Sequence, residues 1–338
     1  MTEVENQKKA DSRADQVTKS KGGVFRQQLQ QMLAFGSLIV LVLFFSFANP
    51  NFLTMSNVSG ILLSTTVIGI LALGTTFVII TGGIDLSLGT GMTLAAVMTG
   101  VFLANMGVPL VVGLLGGILT GALMGLINGF NVAFLKIPPF IATLAMMLIA
   151  QGLALVISGA APIYFSAVDG YSAIALGNLV PGIRLPNGVL ILFFLTALAA
   201  VILGKTVLGR YVFAIGSNEE ATSISGINVR KWKIIIYTLS GAFTGMAGIV
   251  LASRLNSAQP SLGIGYELEA IAAVVIGGTS LRGGKGSIIG TLIGALIMGV
   301  VTNGLRIMSI PQEWQTVVVG LVILVAVYTD TLRRGKEG

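Results

Sequence analysis

The chain is patterned in long unbroken apolar windows separated by short polar punctuation, with almost no alternation of the two. Windows of about 20 apolar residues cross a bilayer as helices. Ten are predicted here: 32–48, 58–80, 87–106, 109–134, 139–158, 188–206, 233–253, 267–281, 286–307 and 313–331. The eighth window is short. It reads as a half-span or re-entrant segment, tolerated only where protein or a cavity surrounds it, and on that reading nine full spans remain. The first apolar run ends in Ser46-Phe47-Ala48, which satisfies the small-residue rule for signal cleavage, yet its 16 residues and the nearby Pro50 point to a retained span.

Charge sets the expected orientation. Between residues 33 and 205 the only charged residues are Asp85, Lys136, Asp169, Arg184 and Lys205. With the N-terminus inside and ten spans, 17 of the 20 Lys and Arg fall on the inner side and only Arg184, Arg254 and Arg306 on the outer, the bias expected of cytoplasmic loops. Both termini then come out cytoplasmic. The net charge of +7 is an orientation signal, because no basic cluster is interleaved with aromatics as a nucleic-acid surface would be. Residues 1–31 are too polar to bury a core and are expected to form a disordered cytoplasmic tail. The membrane domain is assigned to 32–331, with a cytoplasmic loop at 207–232, and a second cytoplasmic tail to 332–338.

Composition narrows the chemistry. The chain is 54% hydrophobic and 10% charged, against roughly a quarter charged in a soluble domain. With Cys at 0 and His at 0, thiol nucleophiles, disulfides, histidine bases and the usual zinc ligands are excluded, which disfavours an intramembrane enzyme. No catalytic residue and no metal ligand set is assigned. The acids Glu267, Glu269, Glu313 and Asp330 stand at window ends, whereas ion-driven carriers place ionisable groups in mid-membrane.

Glycine is used at nearly twice the ordinary rate, 45 of 338 residues. Gly113, Gly117, Gly121, Gly125 and Gly129 recur every four residues, the small-xxx-small surface that lets helix backbones approach, and intramolecular packing is its expected use. A weak internal repeat aligns Gly82-Gly83-Ile84-Asp85-Leu86-Ser87-Leu88-Gly89-Thr90-Gly91 with Gly277-Gly278-Thr279-Ser280-Leu281-Arg282-Gly283-Gly284-Lys285-Gly286. It suggests two related halves, and ten spans make the copies parallel. The second copy lacks the Gly at 279 and the Ser or Thr at 286 that a phosphate-binding loop requires, so nucleotide binding by this chain is rejected.

Polar residues inside or beside the windows are candidates for a translocation path, since such groups are costly toward lipid: Asn128, Asn131, Gln151, Asn256, Gln259 and Asn303, with Asp85. Interhelical hydrogen bonding is the alternative for each, and for Asp85 the alternative is a cap on the third span. Between spans six and seven, Ser217 followed by Glu220 reads as a capping box and Gly226 as a stop. Together they predict a cytoplasmic helix over 218–225, too short to stand alone in water.

Four stretches then carry a family resemblance: Thr81-Gly82-Gly83-Ile84-Asp85-Leu86-Ser87, Pro139-Phe140-Ile141-Ala142-Thr143-Leu144, Ile215-Gly216-Ser217-Asn218-Glu219-Glu220-Ala221, and Ser253-Arg254-Leu255-Asn256-Ser257-Ala258-Gln259-Pro260 running on to Gly278-Thr279-Ser280-Leu281. Over roughly residues 50–330 the chain resembles a bacterial ATP-binding-cassette (ABC) importer permease of the ribose and simple-sugar type. The resemblance implies an all-α polytopic integral membrane protein of the bacterial inner membrane that translocates a monosaccharide. It further implies a second copy of the chain, a cytoplasmic ATPase that binds ATP and Mg, and an extracytoplasmic sugar-binding protein; no cofactor belongs to this chain. The importer loop pattern Glu-Ala-Ala-x-x-x-Gly matches Glu220, Ala221 and Gly226 but has Thr222 at the second Ala. On this resemblance Ser217, Asn218, Glu219, Glu220, Ala221 and Gly226 are expected in a coupling helix against the ATPase. A self-sufficient secondary transporter or channel is the alternative.

Overall fold

A computed structural model describes residues 31–179 and 185–334 of the chain. The helices in order are α1 (Gln31–Ala48), α2 (Met55–Ile80), α3 (Leu88–Gly100, continued by a π-helical turn, Val101–Asn105), α4 (Leu110–Ala133), α5 (Pro139–Ser158), α6 (Ala173–Leu176), α7 (Asn187–Lys205), α8 (Val207–Ser217), α9 (Glu219–Ile224), α10 (Val229–Leu255), α11 (Tyr266–Ile276), α12 (Ile288–Ile307) and α13 (Gln312–Arg334). Eight of them, α1 to α5, α7, α10 and α12, are long and apolar enough to cross a membrane. The eighth predicted window becomes α11, only 11 residues long, and the apolar part of α13 is also short of that length. The expected tail over 1–31 lies outside the described residues except for Gln31; of the expected C-terminal tail over 332–338, residues 332–334 are described and belong to α13.

The buried centre is α2, along which every residue from Thr65 to Ile80 is buried. A helix apolar all round belongs inside a bundle. The glycine stripe of α4 is what brings α10 close. A Cβ at Gly121 would strike the carbonyl of Gly241 and the backbone of Gly245, and one at Gly125 would strike the carbonyl of Tyr237. The stripe therefore packs within the chain, as expected. Several hydroxyls inside the helices return to their own backbones, Thr75 Oγ1 donating to Leu71 O and Thr99 Oγ1 to Ala95 O (2.9 and 2.8 Å), which satisfies those donors within the bundle.

At one end of the bundle the connection after α5 is pinned, not loose. Ile163–Tyr164 (β1) pairs antiparallel with Ser257–Ala258 (β2), and Ser253 Oγ donates to Tyr171 O at 2.7 Å while accepting from Ala175 N at 2.9 Å. The rings of Phe165 and Tyr171 stack at 3.9 Å. Chain beyond α10 is then non-helical until Gly265, whose φ of +98° only glycine adopts readily, and Gly263 presses on the carbonyl of Gly89. The short eighth window, 267–281, is thus a half-helix, preceded by non-helical chain and running out into loop after Ile276.

Candidate functional site

The two glycine loops of the sequence repeat meet at the opposite end. α2 leads into residues 81–87 and then α3; α11 leads into residues 277–287 and then α12. Gly284 N donates to Ile80 O at 2.8 Å, and a Cβ at Gly82 would reach Arg282 O at 3.7 Å. The last turn of α8 closes the junction. A Cβ at Gly216 would strike Ile80 O and lie 2.6 Å from Gly284 N. Three backbones touch there with no side chain between them, and Thr76 with Thr291 continues the contact between α2 and α12 at 2.8 Å.

From this junction the chain turns into α9. Its N-cap is Asn218, whose side chain accepts from Ala221 N at 2.9 Å. Ser217, expected to cap, is instead the last residue of α8, a helix over Val207–Ser217 where the sequence reads as loop, so the cap falls to the next residue. Gly226 ends the element with φ +84°, as the sequence implies. The first turn carries Glu219 and Glu220, which suits the helix dipole, and Lys233 of α10 holds Glu219 in an ion pair at 2.7 Å. Thr222 is the one buried side chain of α9; Ile224 is 81% exposed, an isolated apolar knob beside acids. Between α9 and the start of α5 runs an open cavity of about 620 Å³ lined by Lys136, Pro138, Glu219, Glu220, Ser223 and Lys233.

Residues 81–87 are held by a polar cluster. Ser87 donates both its N–H and its O–H to Asp85 Oδ1 (2.9 and 2.6 Å), and Asn128 Nδ2 of α4 donates to Ser87 Oγ at 2.9 Å. Thr143 of α5 lies 3.3 Å from Ile84 O. Asp85 is buried with 2% exposure, which pushes its carboxyl above the ordinary range while the Ser87 donors pull it back. Asp85 shapes the turn before α3; the N-cap position itself is Ser87, which makes no side-chain cap bond.

Of the sequence candidates, only Asp85 and Asn128 are brought together, through Ser87. Asn131 and Gln151 are half-buried on α4 and α5. Asn256 ends α10 in the left-handed region, φ +51°, and Gln259 Nε2 donates to Ser257 Oγ at 3.1 Å. Asn303 is half-buried on α12, with its Oδ1 unpartnered among the described residues. Sequence reasoning missed Ser87 and Thr143, which have no charge to draw attention, and missed α8, whose Arg210 and Tyr211 read as loop.

Residues 57–327 match the family described as the permease component of the branched-chain amino acid transport system. The chain belongs to this permease family. It is 42% identical over 298 residues to the ribose import permease protein of Escherichia coli (strain K12), covering 88% of this permease and 92% of that one. To the ribose import permease protein of Bacillus subtilis (strain 168) it is 43% identical over 314 residues, 93% and 96% of the two chains. The fructose import permease protein of Rhizobium meliloti is 39% identical over 320 residues, 90% and 88%. No solved structure matches. The permease is a transport subunit and not an enzyme, a multi-pass protein of the inner membrane.

Proposed function

We propose that the permease imports a monosaccharide of the ribose class, driven by a separate ABC ATPase that docks on α9 at the inner face. The observation that carries this reading is the place of α9. A six-residue helix cannot hold itself in water, yet it begins three residues after Gly216, at a junction where three backbones touch. Force applied to α9 passes through Gly216 to α2 and to the loop before α12 without a compliant side chain between. Ile224 offers the ATPase an apolar knob, and Glu219 and Glu220 offer it charge. ATP and Mg belong to that partner.

The finer topology follows the same reading. α11 with its non-helical lead-in and α13 complete ten passes, the two glycine loops begin related halves, and both termini are cytoplasmic. A second copy of the permease completes the path. Asn256 and Gln259 lie at the start of the non-helical segment after α10, and Asn303 lies on α12; non-helical backbone at membrane depth belongs where it lines a cavity or is buried in protein. The pinned surface over 159–179 is where an extracytoplasmic sugar-binding protein docks.

Reconstitution tests this. The permease with its ATPase and binding protein in liposomes should hydrolyse ATP faster when ribose-loaded binding protein is added, and take up ribose. Replacing Glu220→Arg or Gly226→Val should abolish the stimulation. Ribose accumulation by the permease alone under an ion gradient would overturn the reading.

A further inference from the structure

The cluster that shapes residues 81–87 has an unbalanced centre. Asp85 is a fully enclosed carboxylate whose hydrogen bonds all fall on Oδ1, and no Lys or Arg among the described residues pairs with it. Two further buried oxygens beside residues 83–87 have no partner among the described residues: Asn128 Oδ1, with the residue 0% exposed, and the hydroxyl of Tyr237, 1% exposed. Asn128 is fixed by its bond to Ser87, which itself holds Asp85. Tyr237 reaches in from α10: its hydroxyl lies 2.6 Å from where a Cβ of Gly83 would be, and it feels the charge of Asp85. The absence of a side chain at Gly83 is what leaves room for it.

A buried charge must be paired or neutralised, and buried polar atoms must find partners. A proton on Asp85 cancels the charge but by itself leaves Asn128 Oδ1 and the tyrosine hydroxyl without a partner, so that a water would have to accompany it. A water can join the oxygens but leaves the charge. One cation does both, and a single carboxylate with neutral oxygens balances one positive charge, a donor set of hard oxygens only. We propose that Asp85, Asn128 and Tyr237 form a binding site for one alkali-metal cation, which ties the loop before α3 to α4 and α10 beside the junction that α8 closes. The site lies outside α9 and its test reads folding and not sugar uptake, so it does not depend on the proposed function.

Thermal unfolding of the detergent-purified permease tests the proposal without any variant. In NaCl, KCl and N-methyl-D-glucamine chloride at equal ionic strength, one alkali cation should raise the Tm by a few degrees, saturably, because a ligand that binds only the folded state stabilises it by mass action. Asp85→Asn keeps the shape and removes the charge, and should erase the difference between the salts. Tyr237→Phe should shift the half-saturating concentration upward several-fold. Equal Tm in all three salts for the unaltered permease overturns the proposal, with pH-dependent Tm then marking a proton and pH-independent Tm a water. A cation effect that survives intact in Asp85→Asn overturns it as well.

Discussion

At the scale of single residues, two glycines separate what packing demands from what a helix tolerates. Gly121 of α4 faces the backbone of α10 at Gly241 and Gly245, while nothing lies within 4 Å of a Cβ at Gly152 of α5. Gly121→Val must push two helices apart, and overpacking of this kind costs about 1–3 kcal/mol. Gly152→Ala replaces an exposed helical glycine and should gain about 0.5–1 kcal/mol. Unfolding of the solubilised permease followed by helix content should therefore move in opposite directions for the two, and a loss in both would mean that α5 carries a constraint at Gly152 beyond helix propensity. The four-residue spacing of the α4 glycines already exposed the stripe in the sequence. Which helix it met was not legible, since spacing says that a backbone approaches and not whose.

At the scale of elements, α9 depends on its cap. Asn218→Ala removes the acceptor for Ala221 N and should destabilise the helix by about 1 kcal/mol, read as faster amide exchange over residues 219–224 with α10 unchanged. Ile224→Asp should leave that exchange alone and weaken ATPase binding in pull-down or by light scattering, because its side chain is almost wholly outside the fold. Removing the Glu219–Lys233 pair with Glu219→Gln should change stability by less than about 1 kcal/mol, as expected of an exposed ion pair. Span limits were legible to within a few residues because hydropathy and length fix them: 139–158 and the end of α12 at Ile307 agree with the helices as found. The cap was not, because Ser217 and Asn218 are both good N-cap residues and only the extent of α8 decides between them. Nor was the pairing of β1 with β2, two residues on each side and far apart in sequence.

At the scale of the whole molecule, a chain with 0 cysteines is its own labelling background. Ser223→Cys on α9 and Tyr164→Cys on β1 place single thiols at the two ends of the bundle, where Ser223 is exposed and Tyr164 is 63% exposed. In intact spheroplasts a membrane-impermeant maleimide should label position 164 and not 223, and inside-out vesicles should reverse the result; the opposite pattern would invert the orientation derived from Lys and Arg. The meeting of Ile80, Gly216 and Gly284 has a mechanical meaning on this scale. Close-packed backbone is far less compressible than a layer of rotamers, so a push on one of the three segments is passed on with little lost motion. A methyl group there would act as a shim: the parts could still assemble, but part of each stroke would be spent taking up the slack.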